Sequence, residues 1–389
     1  MDLKPLPVGI DSFEHLITRG YYFIDKTWFI KELLDKKGSV NLFTRPRRFG
    51  KTLNMSMLQY FFEDMRTGNG EKKDNAILFK NMRIMEAGEA YLAHMGTYPV
   101  ISLTLKDAKQ PDFELAYEAI KRQIADVYFY HRYILQAESL SEKKEEYLNI
   151  MRRTADRSDY NQSIQFLSQC LELYYGKKVI ILIDEYDVPL ENAFTQHFYN
   201  EMVGFIRSLF ESAFKSNSSL EFAVITGCLR ISKESIFTGL NNLEVISILD
   251  WNYDEYFGFT KEEVRRLCKD CGLEHKYDLI KEWYNGYLFG NTNVYNPWSV
   301  IRYVKALTSH EDEFPHSYWA NTSSNTVVRR LIDMADDSVK SELEDLIDGG
   351  TVEKPVHEDI TYGEVYENMD NLWNFMFFTG YFKKVDERM

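Results

Sequence analysis

Two short clusters of polar residues have the types and spacing needed to bind a phosphorylated nucleotide. The first cluster contains Gly50, Lys51 and Thr52. In the pattern GxxxxGK followed by Ser or Thr, backbone N–H groups surround a phosphate, the lysine reaches the β- and γ-phosphates, and the hydroxyl binds Mg²⁺. Arg45 stands where that pattern has its first glycine. The segment therefore predicts a phosphate-binding loop that departs from the pattern at one position.

The second cluster is the acidic pair Asp184 and Glu185, much further along the chain. An acid at the end of a central strand can hold the Mg²⁺ that bridges two phosphates, and the next acid can orient or deprotonate the attacking water. We predict the first role for Asp184, with Thr52 as a second metal ligand. We predict the second role for Glu185, which makes it a catalytic residue together with Lys51.

Both clusters follow apolar segments that predict buried strands. Residues 40–44 lead into the loop, and apolar positions recur at helical spacing from 53 to 62. Residues 179–183 are mostly β-branched, as in a central parallel strand that presents its last residues at the carboxyl edge of a sheet. A basic surface turn, or a buried strand that ends in an acidic turn, would explain either cluster alone. The two clusters together, in this order, favour a Walker A and a Walker B motif.

Further patterns predict an α/β fold, a P-loop NTPase core with a parallel sheet flanked by helices. Additional strands are predicted at 99–105, 220–227 and 244–249, and helices after Pro111 and from 198 to 213. Alternating strands and helices are typical of parallel sheets. From about Asp250 the pattern becomes mostly helical. We predict an ATPase-type core over residues 1–250 and a helical lid or winged-helix-like subdomain over 251–389.

Thr226 ends the strand predicted at 220–227, and Arg230 follows shortly after it. In P-loop ATPases with a strand inserted between the Walker A and Walker B strands, a polar residue at this strand end can sense the γ-phosphate. Thr226 is the predicted sensor. Arg230 could place a cation on the transferring phosphoryl group, from within the chain or from a neighbouring subunit. A surface arginine that pairs with a helix remains an equal alternative.

Aromatic residues before the loop are candidates for contact with an adenine base. Phe13, Tyr22 and Phe23 precede the loop strand, although core packing is favoured for any one of them; Tyr22 is retained among the nucleotide-binding residues. Aromatic residues between 283 and 298 could form a stacking surface for nucleic acid. Because no Lys or Arg is interleaved among them, they favour the core of the C-terminal subdomain instead.

Composition excludes several classes of protein. The 389 residues carry 60 acids against 46 Lys and Arg, a formal net charge of −14. This balance argues against wrapping nucleic acid, although a local basic groove remains open. No apolar run of membrane-spanning length and no apolar signal core occur, so we expect a cytoplasmic protein with no membrane partner. The four cysteines are too few and too dispersed for a disulfide framework.

Motifs along nearly the whole chain match the pattern of one family. They are Leu6-Pro7-Val8-Gly9-Ile10, Asp25-Lys26-Thr27, Arg45 to Thr52, Ile183 to Leu190, Thr226 to Ile231, Trp283-Tyr284-Asn285-Gly286-Tyr287, Tyr295 to Ser299 and Phe378 to Tyr381. With these motifs the chain resembles the bacterial AAA-ATPase-like proteins that commonly carry a PD-(D/E)XK nuclease-like domain after the ATPase region. Arg45 in place of glycine looks like the family's own variant.

The resemblance implies that the chain binds ATP and Mg²⁺ and hydrolyses ATP, as the regulatory or assembly module of a system with a nuclease-like effector. A nuclease-like domain would follow Tyr381, and no strand bears a spaced Asp and Glu-x-Lys, so we expect no nuclease activity. A nucleotide-dependent switch or scaffold with negligible turnover is the alternative. Self-assembly, a nuclease-like partner and direct contact with nucleic acid stay open. The predicted nucleotide-binding residues are Arg47, Arg48, Phe49, Gly50, Lys51, Thr52, Leu53 and Tyr22.

Overall fold

A five-stranded parallel sheet forms the centre of the computed structural model, which describes residues 3–229, 236–237, 239–319, 326–358 and 369–385. The strands are β1 (Val40–Thr44), β2 (Val100–Thr104), β3 (Val179–Asp184), β4 (Leu220–Gly227) and β5 (Leu243–Ile246). They lie in the order β2-β3-β4-β1-β5 and all pair in parallel. β4 therefore separates the strand before the loop from the strand that ends in the acidic pair. The predicted α/β fold is confirmed.

Helices cover this sheet, and β1 and β3 are buried along their whole length. Burial on both faces explains why their sequences are continuous apolar runs rather than alternating ones. The helices of this part are α1 (Phe13–Thr18), α2 (Trp28–Lys36), α3 (Lys51–Phe62), α4 (Glu89–Leu92), α5 (Phe113–Tyr130), α6 (Lys144–Arg152), α7 (Arg157–Tyr175), α8 (Val188–Thr195) and α9 (Tyr199–Phe210).

The later part of the chain is mostly helical but also contains a small antiparallel sheet that the sequence analysis missed. Its strands are β6 (Phe259–Thr260), β7 (Tyr287–Phe289) and β8 (Thr292–Tyr295), in the order β6-β8-β7. Strands of this length are too short to show alternation, although Gly290-Asn291 between β7 and β8 is a hairpin signal. The helices are α10 (Lys261–Asp270), α11 (Tyr277–Tyr284), α12 (Pro297–Ser309), α13 (Thr326–Met334), α14 (Asp337–Ile347) and α15 (Met369–Thr379).

Buried apolar side chains form two clusters. The larger cluster fills the space around the parallel sheet and also includes Leu331 of α13 and Leu372 of α15. The smaller cluster joins α10, α11 and α12, and Leu6 of the N-terminal segment packs into it. The division of the chain at residue 250 stays a prediction. No helix in the described ranges combines the length and the apolar character needed to cross a bilayer.

Glu63, which follows the last residue of α3, is a buried carboxyl group. Burial raises its pKa to about 7, the Asp64 carboxylate acts in the same direction, and a hydrogen bond from Gln59 Nε2 (2.9 Å) opposes them. The folded chain therefore favours the protonated acid. The stability that this preference contributes is fully present below the unfolded pKa and is lost as the pH rises through the folded value.

Replacement of this acid by a residue that does not titrate should change how stability depends on pH. We expect Glu63→Gln to gain stability relative to the wild type as the pH rises from the ordinary carboxyl value of 4.5 to about 7. The expected gain is about 1.4 kcal/mol for each unit by which the pKa is raised. Urea unfolding of both proteins at several pH values measures it. Parallel pH profiles for the two proteins would contradict the assignment.

Candidate functional site

A cavity of about 580 Å³ lies where the parallel strands reach their carboxyl ends. Its wall includes Lys51 after β1, Lys106 after β2, Glu185 after β3 and Cys228 after β4. The N-terminal segment and α12 supply further wall residues. Open α/β sheets bind their ligands at this edge, and the volume lies in the range of small-molecule sites.

The loop between β1 and α3 presents a row of backbone donors. Gly50 precedes α3 with φ +83°, Arg48 has φ +70°, and none of the described side chains caps the helix. No atom in the described part of the chain accepts a hydrogen bond from the backbone N–H groups of residues 48–53. Successive N–H groups without acceptors at a helix N-terminus form an anion site. The loop therefore fits a phosphate group.

Lys51 is 7% exposed and stays inside the loop. Its Nζ donates hydrogen bonds to Arg45 O (2.9 Å) and Pro46 O (3.0 Å) and lies 3.5 Å from Cys228 Sγ. Thr52 and Leu53, the next two residues of α3, also line the cavity. The first turn of α3 thus brings a buried ammonium group and a hydroxyl to the row of N–H groups.

Asp184 and Glu185 point to different surroundings although they are adjacent. Asp184 is 6% exposed, and its Oδ1 accepts a hydrogen bond from Thr226 Oγ1. Glu185 has φ +56°, an uncommon conformation for a residue other than glycine, and it lines the cavity. Burial raises the pKa of Glu185 and the Asp184 carboxylate adds to this effect, whereas Lys51 and Arg47 oppose it.

Asp187 is a third acid at this edge, to which the sequence analysis gave no role. It is 3% exposed, lines the cavity, and accepts hydrogen bonds from Cys228 N (2.7 Å) and Leu229 N (3.2 Å). Burial raises its pKa despite these bonds. The signal for it was its place in Asp-Glu-Tyr-Asp, directly after the strand.

Of the two residues predicted to sense or contact the terminal phosphate, the structure describes only Thr226. Thr226 is buried at the end of β4. Its hydroxyl donates a hydrogen bond to the Asp184 carboxylate and does not line the cavity. The next residue, Gly227, has no room for a side chain, because a Cβ there would lie 2.4 Å from the ring of Tyr186. Arg230 lies outside the described residues. A sensor role for Thr226 would therefore act through the carboxylate of Asp184.

Arg45 does not lie at the row of N–H groups. Its side chain is fully buried, and its Nη1 donates to Thr44 O (2.9 Å) and to Ile246 O in β5 (2.8 Å). The guanidinium carbon lies over the rings of Phe257 (5.1 Å) and Phe289 (5.4 Å). Burial lowers its pKa to about 10, and Asp250 and Asp254 oppose this effect. Arg45 thus fastens the start of the loop to the later part of the chain.

Loss of this buried side chain should weaken the fold. We expect Arg45→Gly to lower the free energy of unfolding by about 3 kcal/mol or more, because it leaves a void and an unpaired Ile246 carbonyl. We expect a smaller loss for Arg45→Met, which keeps most of the volume and removes a buried charge. Urea unfolding compares the two variants. Wild-type stability in Arg45→Gly would show that the contacts to Phe257 and Phe289 contribute nothing.

The following residues of the loop also contact the later part of the chain. Trp319 Nε1 donates to Arg47 O (3.1 Å), and the Arg48 guanidinium lies 4.4 Å from the ring centre of Trp298. The Phe49 ring packs against Tyr287 (4.9 Å) and Phe289 (5.1 Å). The Arg47 side chain itself pairs with Glu191 of α8. We call residues 45–49 the anchored half of the loop.

The three aromatic residues that were candidates for contact with adenine differ in position. Phe13 is fully buried and packs against Phe79 and Phe23, so it belongs to the core. Tyr22 lines the cavity, and its hydroxyl donates to Asp270 Oδ2 (2.8 Å). Phe23 lines the cavity as well. Contact between Tyr22 and a base stays a prediction.

Three comparisons with known proteins bear on this site. A family model described as Predicted AAA-ATPase matches residues 7–237. An uncharacterised protein from Azotobacter chroococcum mcd 1, described by its position in the vnfD 5′ region, is 28% identical over 342 residues. The match covers 85% of this chain and 57% of that protein, so the chain spans little more than half the length of this curated relative. No solved structure matches the chain.

Proposed function

The chain belongs to the predicted AAA-ATPase family, and on that premise we propose that it binds ATP together with Mg²⁺ and hydrolyses the ATP. One observation carries the proposal: a single cavity combines the Lys51 ammonium group, the Glu185 carboxylate and the N–H groups of residues 48–53, which have no acceptor among the described residues. The N–H groups and Lys51 would bind the phosphates. Glu185 would orient the attacking water and accept its proton.

The residues present suit a magnesium ion. Mg²⁺ prefers oxygen ligands, and a site with one or two carboxylates and phosphate oxygens is common. Thr52 lines the cavity, and Asp184 lies buried at the carboxyl end of β3. These two residues would hold the ion, which neutralises charge on the phosphates. Asp187, a third acid at this edge, accepts hydrogen bonds from Cys228 N and Leu229 N and so fixes the segment that follows β4.

A switch or scaffold with negligible turnover is a second candidate, and one observation favours it. The Lys51 ammonium group already donates to two loop carbonyls. If a bound nucleotide replaced these bonds, its binding would also rearrange the loop. Such a protein would bind ATP or ADP tightly and use the bound state to control assembly or an effector.

We further propose that the ATPase region regulates or assembles a system with a nuclease-like effector. This proposal rests on the resemblance of the motifs to proteins with such a domain, and on the greater length of the curated relative. The division into a core at 1–250 and a lid or winged-helix-like subdomain at 251–389 is part of the same proposal. The effector, a homo-oligomer and the cytoplasmic location are proposals as well.

Phosphate release by the purified chain, measured with and without Mg²⁺ and with and without DNA, tests the proposed hydrolysis. Bound nucleotide is quantified in parallel. Mg²⁺-dependent turnover, basal or stimulated by DNA, is the expected result. Tight binding without turnover in every condition would favour the switch. Absence of both binding and turnover would overturn the assignment.

We expect the chain itself to leave DNA intact. Metal-dependent cleavage needs acids and a lysine gathered around an ion at the phosphodiester, whereas the acids of this cavity are assigned here to ATP. The net charge of −14 also disfavours strong binding of a polyanion. Incubation of plasmid with the purified protein and Mg²⁺ or Mn²⁺ checks this. Nicking that is lost in Asp184→Asn but insensitive to ATP would contradict it.

A further inference from the structure

A short helical turn after β2, Lys106–Ala108, is fixed beside the acidic edge of the sheet. Leu105 N donates to Asp184 O (3.0 Å), and Asn192 Nδ2 in α8 donates to Gln110 O (2.6 Å). Leu105 and Ala108 are fully buried. The turn is therefore held on both sides by the segment that carries the Walker B acids.

Two lysines flank the buried Ala108 in this turn. Lys106 and Lys109 are exposed, and both line the cavity that Glu185 lines. Asp107 between them also lines the cavity, and its Oδ2 accepts a hydrogen bond from Gln123 Nε2 (3.3 Å). Within the described ranges, neither lysine has a carboxylate, carbonyl or aromatic partner.

The remaining cations of the cavity wall each have a contact with another group of the chain. Lys26 Nζ lies 2.6 Å from Glu263 Oε2. Arg47 pairs with Glu191, and Arg48 lies over Trp298. Lys51 donates to the loop carbonyls. A phosphate chain held by the loop and Lys51 would therefore meet two further ammonium groups on the turn after β2, which have no partner in the described part of the chain.

We propose that Lys106 and Lys109 contact the terminal phosphate of the bound nucleotide, so that the chain supplies its own cations for phosphoryl transfer. The inference rests on the proposed function, because it takes Glu185 as the residue beside the attacking water. Leu105, which precedes the turn, is bonded to Asp184, the residue before Glu185, so the turn with its two lysines lies beside the acid that would orient the attacking water. Flexible lysine stems suit a point contact with a phosphate oxygen.

The reaction step is a displacement at the terminal phosphorus. The bond from this phosphorus to the β,γ-bridging oxygen breaks, a bond to the water oxygen forms, and Glu185 accepts the water proton. ADP leaves with the bridging oxygen. The lysines keep their protons and stabilise the negative charge on the terminal oxygens as the bond breaks.

Single and double replacement of the lysines by methionine tests the inference. Removal of cations from the transferring group should lower kcat of Lys106→Met/Lys109→Met by about a hundredfold and raise KM by about tenfold. The affinity for a non-hydrolysable ATP analogue should fall about tenfold, while that for ADP stays the same. Arginine at both positions should restore part of kcat. Lys80→Met, which removes an exposed lysine outside the cavity, is the matched control.

The outcomes separate this inference from the proposed function. If the wild type binds nucleotide without turnover, the ratio of analogue to ADP affinity still decides: a fall in the double variant supports the contact. An unchanged ratio, together with wild-type kcat where turnover exists, would overturn the inference and leave the proposed function intact. A wild type that binds no nucleotide overturns both.

Discussion

Lys51→Ala is expected to lower the affinity of the chain for ATP by about a hundredfold or more, because charge-assisted hydrogen bonds to the β- and γ-phosphates are lost. Lys51 is the buried ammonium group that lies within the loop itself, beside the N–H groups of residues 48–53, for which the described ranges supply no acceptor. Of the loop arginines, Arg45 is bonded to Ile246 O in β5 and Arg47 pairs with Glu191, so neither is placed to replace it. Isothermal titration with ATP and Mg²⁺ measures the loss.

Lys51→Met is the companion variant, because it keeps the aliphatic stem and removes only the charge. Urea unfolding should show that this variant remains folded, so that lost affinity reflects the missing ammonium group. Lys80→Ala is the control for a general effect of charge. Wild-type affinity for ATP in both Lys51 variants would mean that the loop does not bind phosphate.

The second large effect is expected at the acidic pair. Glu185→Gln should lower ATP turnover by about a hundredfold or more while ATP binding is kept, because glutamine can still contact water but cannot accept its proton. Asp184→Asn should weaken Mg²⁺-dependent binding as well. The backbone of Glu185, with φ +56°, directs this side chain into the cavity, whereas Asp184 meets the Thr226 hydroxyl.

Steady-state turnover and nucleotide binding with and without Mg²⁺ separate the two roles. Glu201→Gln, at an exposed position in α9, controls for removal of a negative charge. Equal turnover by the wild type and Glu185→Gln would favour the switch or indicate a contaminating ATPase. If Mg²⁺ raised the nucleotide affinity of Asp184→Asn as much as it raises that of the wild type, the assignment of Asp184 as a metal ligand would be wrong.

The parts of the fold that could be predicted are those whose signal is local. The apolar run at residues 179–183 forms β3 along its full length, and the spacing after Lys51 forms α3. β4 lies between β1 and β3, as the sensor argument requires. The short strands β6, β7 and β8 were missed, because two to four residues carry no usable period.

The site was less accessible to sequence reasoning, because its geometry depends on distant contacts. The left-handed backbone at Glu185, which separates it from Asp184, has no counterpart in the residue pattern. The direction of Arg45 depends on Phe257 and Phe289, both far along the chain. The position of Lys106 and Lys109 near the acidic pair follows from the pairing of β2 with β3, which the residue pattern does not indicate.

The anchored half of the loop has a consequence for how this sequence can evolve. Arg45, Arg48 and Phe49 fit against carbonyl and aromatic groups far along the chain, including the Ile246 carbonyl and the rings of Tyr287 and Trp298. A substitution on either side leaves a void or an unpaired group on the other, so the first change is tolerated only after a second one compensates for it. Residues 45–49 and their distant partners should therefore be inherited together, and an exchange of the later chain between relatives should carry the loop with it.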